Sequence, residues 1–154
     1  MVRQSGGSGS AAPVEELPAW QLARRKRIVE AAVAALDEQD YEHVQIRDVA
    51  QDAGVALGTL YRYFSSKEHL YAAVLDQWAA AGEAAEARYA GLDPVERIRA
   101  RVRRVIRAFE RRPRYYKLQT LLLNSADPNV KELLGQFMES ATSWLEDDLA
   151  LLGP

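Results

Sequence analysis

A chain of 154 residues with net charge −2, 48% hydrophobic and 27% charged, has the make-up of a globular protein. It has room for one substantial core, or for a small head plus part of a second domain. The absence of cysteine excludes disulfides and thiolate metal sites, and no run of ~20 apolar residues could form a membrane helix. The small net charge does not exclude nucleic acid, because DNA binding needs a local basic face rather than a basic chain.

Residues 1–17 are rich in Gly and Ser, then Pro, with little to bury, and are expected to form a disordered tail. They lack an apolar run before a cleavage site, so no secretory signal is expected and a cytoplasmic location fits. Helix 1 is expected from about Pro18 to Asp37, with an apolar stripe of Trp20, Ala23, Ile28, Ala31, Ala32, Ala35 and Leu36. Its consecutive cations Arg24, Arg25, Lys26 and Arg27 wrap around the helix and cannot all face one partner. Tyr41 and Val44 are the apolar pins of the linker that follows.

Residues 45–64 carry the most specific pattern. Ile46, Val49, Ala50 and Ala53 make one helical apolar face, and Gly54 stops it because glycine takes the left-handed conformation freely. Val55 plugs the angle, Leu60 and Phe64 resume the apolar pattern, and Leu57, Thr59, Arg62 and Tyr63 are expected to point outward. The spacing is that of a helix-turn-helix whose second helix enters the major groove. Thr59 and Arg62 suit base edges, Tyr61, Tyr63 and Lys67 suit phosphate oxygens, and Gly58 lets the backbone approach DNA closely. Arg47, Arg62 and Lys67 add to the basic cluster of helix 1. Core packing is the alternative for Tyr61, and a surface ion pair the alternative for Arg62.

Gly54-Val55-Ala56-Leu57-Gly58-Thr59-Leu60-Tyr61-Arg62-Tyr63-Phe64, then Ser65-Ser66-Lys67-Glu68, resembles the DNA-binding signature of TetR-family transcriptional regulators, and the match reaches back through Ile46-Arg47-Asp48-Val49-Ala50. The resemblance implies DNA contacts at Thr59, Tyr61, Arg62, Tyr63 and Lys67. It also brings Gln45 to the interface, at a position where the family usually has Thr or Ser, which cap a helix better. The head is further similar to repressors of sterol and lipid catabolism in actinobacteria, a similarity that does not extend to the ligand.

A capping box of Ser65 and Glu68 is expected to open helix 4, which carries Leu70, Val74, Trp78 and Ala81 on one face and reaches about Tyr89. Asp93-Pro94 starts helix 5, whose stripe is Val95, Ile98, Val102, Val105, Ile106 and Phe109, ending near Arg112-Pro113. Helix 6 is expected over Arg114 to Asn124. Asp127-Pro128 opens helix 7, with a stripe of Val130, Leu133, Leu134, Phe137, Met138, Ala141, Trp144, Leu145 and Leu149. Residues 97–117 hold nine Arg and Lys117 against one acid, Glu110. Arg97, Arg101, Arg104 and Arg107 can share a face opposite the apolar stripe. That face is either solvated, partly neutralised by Glu139, Glu146, Asp147 and Asp148, or a lure for an acidic effector.

The expected fold is all-α: a tail over 1–17, a three-helix DNA-binding head over 18–66, and a helical effector-binding and dimerisation domain over 67–154. Trp78, Phe109, Tyr116, Leu122, Phe137, Met138 and Trp144 are the candidate effector pocket, with plain core as their alternative. The resemblance implies two further long helices beyond Leu152-Gly153-Pro154 that build a dimer, so the domain is expected to be C-terminally incomplete and the chain alone prone to associate. His43 and His69 show no metal-site spacing, and no cofactor is expected. No nucleophile-base constellation or phosphate loop supports an enzyme, and the polar face of helix 3 argues against a scaffold that has lost DNA binding. The chain is thus expected to be a regulator, most simply a repressor, that binds a palindromic operator in double-stranded DNA as a homodimer and is released by a small molecule, acidic or lipid-like.

Overall fold

The computed structural model of the chain describes residues 17–83 and 86–153, so the expected tail over 1–17 falls outside them but for its last residue. Among the described residues there are seven α-helices and no strand: α1 Ala19–Glu38, α2 Ile46–Asp52, α3 Leu57–Tyr63, α4 Lys67–Glu83, α5 Pro94–Arg111, α6 Pro113–Leu122 and α7 Pro128–Ala150. One 3-10 turn, Tyr41–His43, links α1 to α2, and another, Glu86–Tyr89, precedes α5. Helix α4 was expected to reach about Tyr89, but Glu86–Tyr89 is a 3-10 turn and not a continuation of it.

A side-chain cap sets three of the seven helix starts, those of α4, α5 and α7. Asp93 Oδ1 accepts from the Val95 and Glu96 amides, and Asp127 Oδ1 accepts from the Asn129 amide, each with a proline at the first helical position. The cap of α4 is Ser66, not Ser65. Its Oγ accepts from the His69 amide at 3.0 Å, while the Glu68 carboxylate turns away to accept from Ser125 Oγ on the α6–α7 connection.

The core runs through α4. Leu70, Tyr71, Ala72, Ala73, Val74 and Leu75 are all buried, so this stretch is enclosed on every side. Ile28, Val29, Ala32 and Leu36 of α1, Val49 and Ala50 of α2, and Leu60 of α3 cover it on one side; Tyr115, Leu118 and Leu122 of α6 and Val130 and Leu134 of α7 cover the other. Each large side chain buried this way contributes about 1.5–3 kcal/mol. The Tyr71 hydroxyl donates to the Ala32 carbonyl at 3.1 Å and ties α4 to α1; burial holds its proton firmly.

Two stripes differ from expectation. In α1 the buried face, stepped back by helical turns, passes through Arg25 and Gln21, so Trp20 and Ala23 face solvent. Arg25 instead lies over the Phe64 ring, 5.1 Å from its centroid. In α5 no residue is fully buried, and the inward side mixes arginines with part of the apolar stripe, Ile98 and Phe109. Arg97, Arg101 and Arg104 are half-buried, whereas Val95, Val102, Val105 and Ile106 are exposed. The reason lies on α7: Asp148 is 4% exposed and accepts from Arg97 Nε at 2.7 Å and Arg101 Nη1 at 2.5 Å, and the Arg101 guanidinium stacks 5.0 Å from the Trp144 ring.

Candidate nucleic-acid interface and effector cleft

The turn between α2 and α3 is a closed hydrogen-bonded C-cap. Val55 N donates to the Ala50 carbonyl and Gly54 N to the Gln51 carbonyl, both at 3.0 Å, with Gly54 at φ 66°. A Cβ at Gly54 would meet nothing within 4 Å, so the glycine serves the left-handed angle rather than a close approach. The turn then delivers α3. The Ala56 carbonyl accepts from the Thr59 and Leu60 amides, and Leu60 and Phe64 are fully buried, which fixes the outer face.

On that face Gly58 and Arg62 are exposed, Thr59 is half-buried, and Tyr61 is 45% exposed, which rules out its core-packing alternative. Arg62 makes no ion pair among the described residues. Leu57 and Tyr63 were expected to point outward, yet both are half-buried and pack against the core. At the start of α2, Gln45 and Arg47 are exposed; Gln45 caps through its carbonyl, which accepts from Asp48 N, and its side chain makes no capping bond.

Lys67 is placed differently from the rest. Its ammonium donates to the Tyr41 and Val44 carbonyls, each at 2.6 Å, and sits 4.2 Å from the Tyr41 ring centroid. Burial lowers its pKa, with Glu42 pulling the other way.

Two polar junctions brace this surface against α5, α6 and α7. In the first, Asp127 Oδ2 accepts from Ser65 Oγ at 2.8 Å and Ser66 Oγ at 2.6 Å, directly after α3. Asn129 Nδ2 donates to Ser65 Oγ at 3.0 Å. Burial opposes the charge on Asp127, but the two serine hydroxyls and Asn129 outweigh it and leave its pKa lowered. In the second, Arg114 Nε meets Asp40 at 3.0 Å, Lys117 Nζ meets it at 3.3 Å, Arg112 faces Asp37 at 3.5 Å, and Arg114 also donates to the Asp37 carbonyl. The Arg114 bond, then that of Lys117, hold the Asp40 carboxyl below the usual range. The sequence reading had Asp127 only as a helix cap and gave Asp37 and Asp40 no role; the excess of cations over 97–117 was the one available signal that acids elsewhere in the chain must answer it.

A cleft of about 780 Å³ opens between α4, α5, α6 and α7, lined by Trp78, Val105, Ala108, Phe109, Phe137, Met138 and Trp144 with Arg101, Arg104, Gln119, Ser140, Ser143 and Asp147. Five of the seven candidate pocket residues lie on its wall. Tyr116 is instead exposed, its ring 5.5 Å from Phe109, and Leu122 is buried in the main core, because α6 turns its Tyr115–Leu118–Leu122 face toward α4. Phe109 and Trp78 meet edge to face at 5.2 Å and form the floor.

A model of the bacterial regulatory proteins of the tetR family matches residues 28–74, from the middle of α1 to the middle of α4. The HTH-type transcriptional repressor KstR of Rhodococcus jostii RHA1 is 34% identical over 85% of this chain and 66% of its own length. KstR of Mycolicibacterium smegmatis is 38% identical over 78% of this chain and 61% of its own length, so the chain spans somewhat less than two thirds of these relatives. Among solved structures, a TetR transcriptional regulator from Rhodococcus sp. RHA1 superposes with TM-score 0.71 at 29% identity, covering 89% of this chain and 73% of that one. The regulator FadR of Bacillus subtilis, solved with stearoyl-CoA, shares the fold at TM-score 0.63 and 19% identity, over 81% of this chain and 68% of its own.

Proposed function

Since the chain belongs to the TetR family of bacterial regulatory proteins, we propose that it is a sequence-specific DNA-binding repressor, with a head over 18–66 and an effector-binding unit over 67–154. The observation that supports this best is the outer face of α3: exposed polar side chains on a short helix whose inner face is locked by Leu60 and Phe64. Thr59 and Arg62 read base edges, Tyr61 binds a phosphate, Gln45 and Arg47 hold the flanking backbone, and Gly58 lets α3 sit deep in the groove, while Leu57 and Tyr63 seat α3 on the core. The repressing sign follows the relatives. Two heads on a palindromic operator require a homodimer, and the work is done in the cytoplasm without catalysis.

The cleft supports a small-molecule effector. Its volume suits a drug-sized ligand, its walls are aromatic, and Arg104, Ser140, Ser143 and Asp147 line it beside Arg101, whose charge Asp148 answers, a lining that fits an amphipathic, lipid-like ligand with a polar end. Such a ligand would bear on Trp78 of α4 and on α7. Helix α7, at 23 residues about 35 Å long, touches the cleft at one end and Ser65–Ser66 at the other. Displacing α4 and α7 together would tilt α3 and change the separation of two heads, provided that the ligand binds the tilted state better.

The test is selection of random duplexes on the full chain, followed by Arg62→Ala. An enriched palindromic motif is expected, and the substitution should cost about 1–3 kcal/mol of specific binding and relax preference at one base position. No enrichment, or uniform loss with preference intact, would overturn the assignment.

A further inference from the structure

Helix α3 has seven residues, about two turns, and within it Leu60 alone is fully buried, so its tilt depends on how its two ends are held. The entry is the hydrogen-bonded turn at Gly54. The exit is Phe64, fully buried, followed by Ser65 and Ser66, which lie between Arg62 and Lys67. Both serine hydroxyls donate to a single oxygen, Asp127 Oδ2, at 2.8 and 2.6 Å. The other oxygen, Oδ1, accepts from the Asn129 amide at 2.9 Å and so caps α7. One carboxylate thus joins the exit of α3 to the start of α7, across 61 positions of chain.

The serine oxygens are themselves in use as acceptors, Ser65 Oγ from Asn129 Nδ2 and Ser66 Oγ from the His69 amide, each at 3.0 Å. Each hydroxyl therefore turns its proton to Asp127, where a charged acceptor makes the stronger bond. Among the described residues no Lys or Arg pairs with Asp127, so hydrogen bonds alone hold its charge in place. A negative charge this close to a surface that meets phosphates works against binding, and its gain must come from what it holds.

We propose that Asp127 is a positioning residue for DNA reading: through Ser65 and Ser66 it fixes the exit of α3, so that Thr59 and Arg62 meet the base edges, and it does this without touching DNA. The inference rests on the DNA-binding reading above.

The test uses the full chain, a duplex recovered by selection with the wild-type protein, and a scrambled duplex of the same composition. Asn and Ser cap a helix about as well as Asp, so Asp127→Asn and Asp127→Ser both keep the start of α7. Asn puts an NH2 group where the hydroxyls donate, and Ser is too short to reach them. Each variant should bind the selected duplex about tenfold more weakly, the scale of a lost charge-assisted hydrogen bond. Each should bind the scrambled duplex as tightly as the wild type or more tightly, because a negative charge near the phosphates is gone. Equal losses on both duplexes would mean a head that is merely destabilised, and undiminished binding to the selected duplex would mean that α3 needs no such hold; either result overturns the proposal.

Ser65 is exposed, so Ser65→Ala tests the route with little risk to the fold. Added to Asp127→Ser it should cost nothing further, since donor and acceptor form one link, whereas additive losses would overturn that link. Amide hydrogen exchange without DNA gives a second readout: Asp127→Asn should speed exchange over residues 60–69 and leave α5 unchanged, and uniform acceleration, or none, would count against the hold. A wild-type chain that prefers no duplex would overturn the DNA-binding reading and this proposal with it. A wild type that discriminates, with variants that discriminate equally well, overturns the proposal alone.

Discussion

His69 shows how one side chain can carry a pH dependence. Its Nδ1 accepts from the Ser65 amide at 3.0 Å, and its ring meets Phe64 at 5.4 Å, so protonation at Nδ1 would break the bond that seats the start of α4. Burial lowers its pKa below the ordinary 6.5, with Asp127 pulling it up and Arg25 pushing it further down. The unfolded chain therefore takes up this proton first as pH falls. The stability tied to neutral His69 is complete above its unfolded pKa and is lost as pH drops toward the folded one, at up to about 1.4 kcal/mol per unit. Asp40 and Asp127 have lowered pKa values, so their losses come in a more acidic window. Urea midpoints at about pH 7.5 and about pH 5.5 should fall less for His69→Gln than for the wild type. Equal falls would assign the acid sensitivity to other groups.

At the scale of elements, the α2–α3 angle and the α5–α7 pairing each hang on one residue. Ala50 is buried, and its carbonyl closes the turn with Val55 N, so a larger side chain there has nowhere to go. Ala50→Leu should overpack the angle and destabilise the chain by about 1–3 kcal/mol in denaturant titration; a neutral effect would mean that α2 and α3 can part at no cost. Asp148 joins two arginines whose side chains are 18% and 13% exposed. Removing one partner of a buried pair costs about 3–5 kcal/mol, and the residual exposure of the arginines brings the expectation for Asp148→Asn to about 2 kcal/mol. Faster amide exchange confined to α5 and the end of α7 would accompany it, whereas a loss under about 0.5 kcal/mol would show that solvent screens the pair.

The whole molecule keeps a tight centre and an uncovered flank. Val95, Val102 and Ile106 share the outer face of α5, with Ile106 51% exposed, and Leu149, Leu151 and Leu152 are exposed beyond Asp148 on α7 and after it. Apolar faces of this kind mark an interface or an association liability. The described chain should scatter light in a concentration-dependent way, and replacing Val102 and Ile106 with glutamine should suppress that scattering without lowering the thermal midpoint. A monodisperse wild-type monomer at high concentration would show that the face is tolerated in water.

The starts of α5 and α7 and the stop of α2 were legible from sequence because they are local events, whereas the cap of α4 was not, since Glu68 turns to Ser125 57 residues away. Asp93-Pro94 and Asp127-Pro128 satisfy their own first-turn amides, and Gly54 supplies its own left-handed angle, whatever else the chain does. The buried positions Leu70 and Val74 of α4 and Leu60 and Phe64 at α3 could be read for the same reason, since helical period projects directly onto a face. What the sequence could not decide was which partner answers each amphipathic face. Arg97 and Arg101 of α5 turn inward because Asp148 waits 51 and 47 residues away, Lys67 turns inward because the Tyr41 carbonyl lies 26 residues back, and Tyr116 and Leu122 miss the cleft because α6 rolls toward α4. Those choices belong to the tertiary structure, because a charge finds its lowest energy beside whichever opposite charge or open carbonyl the packed core brings near, and periodicity carries no record of that distance.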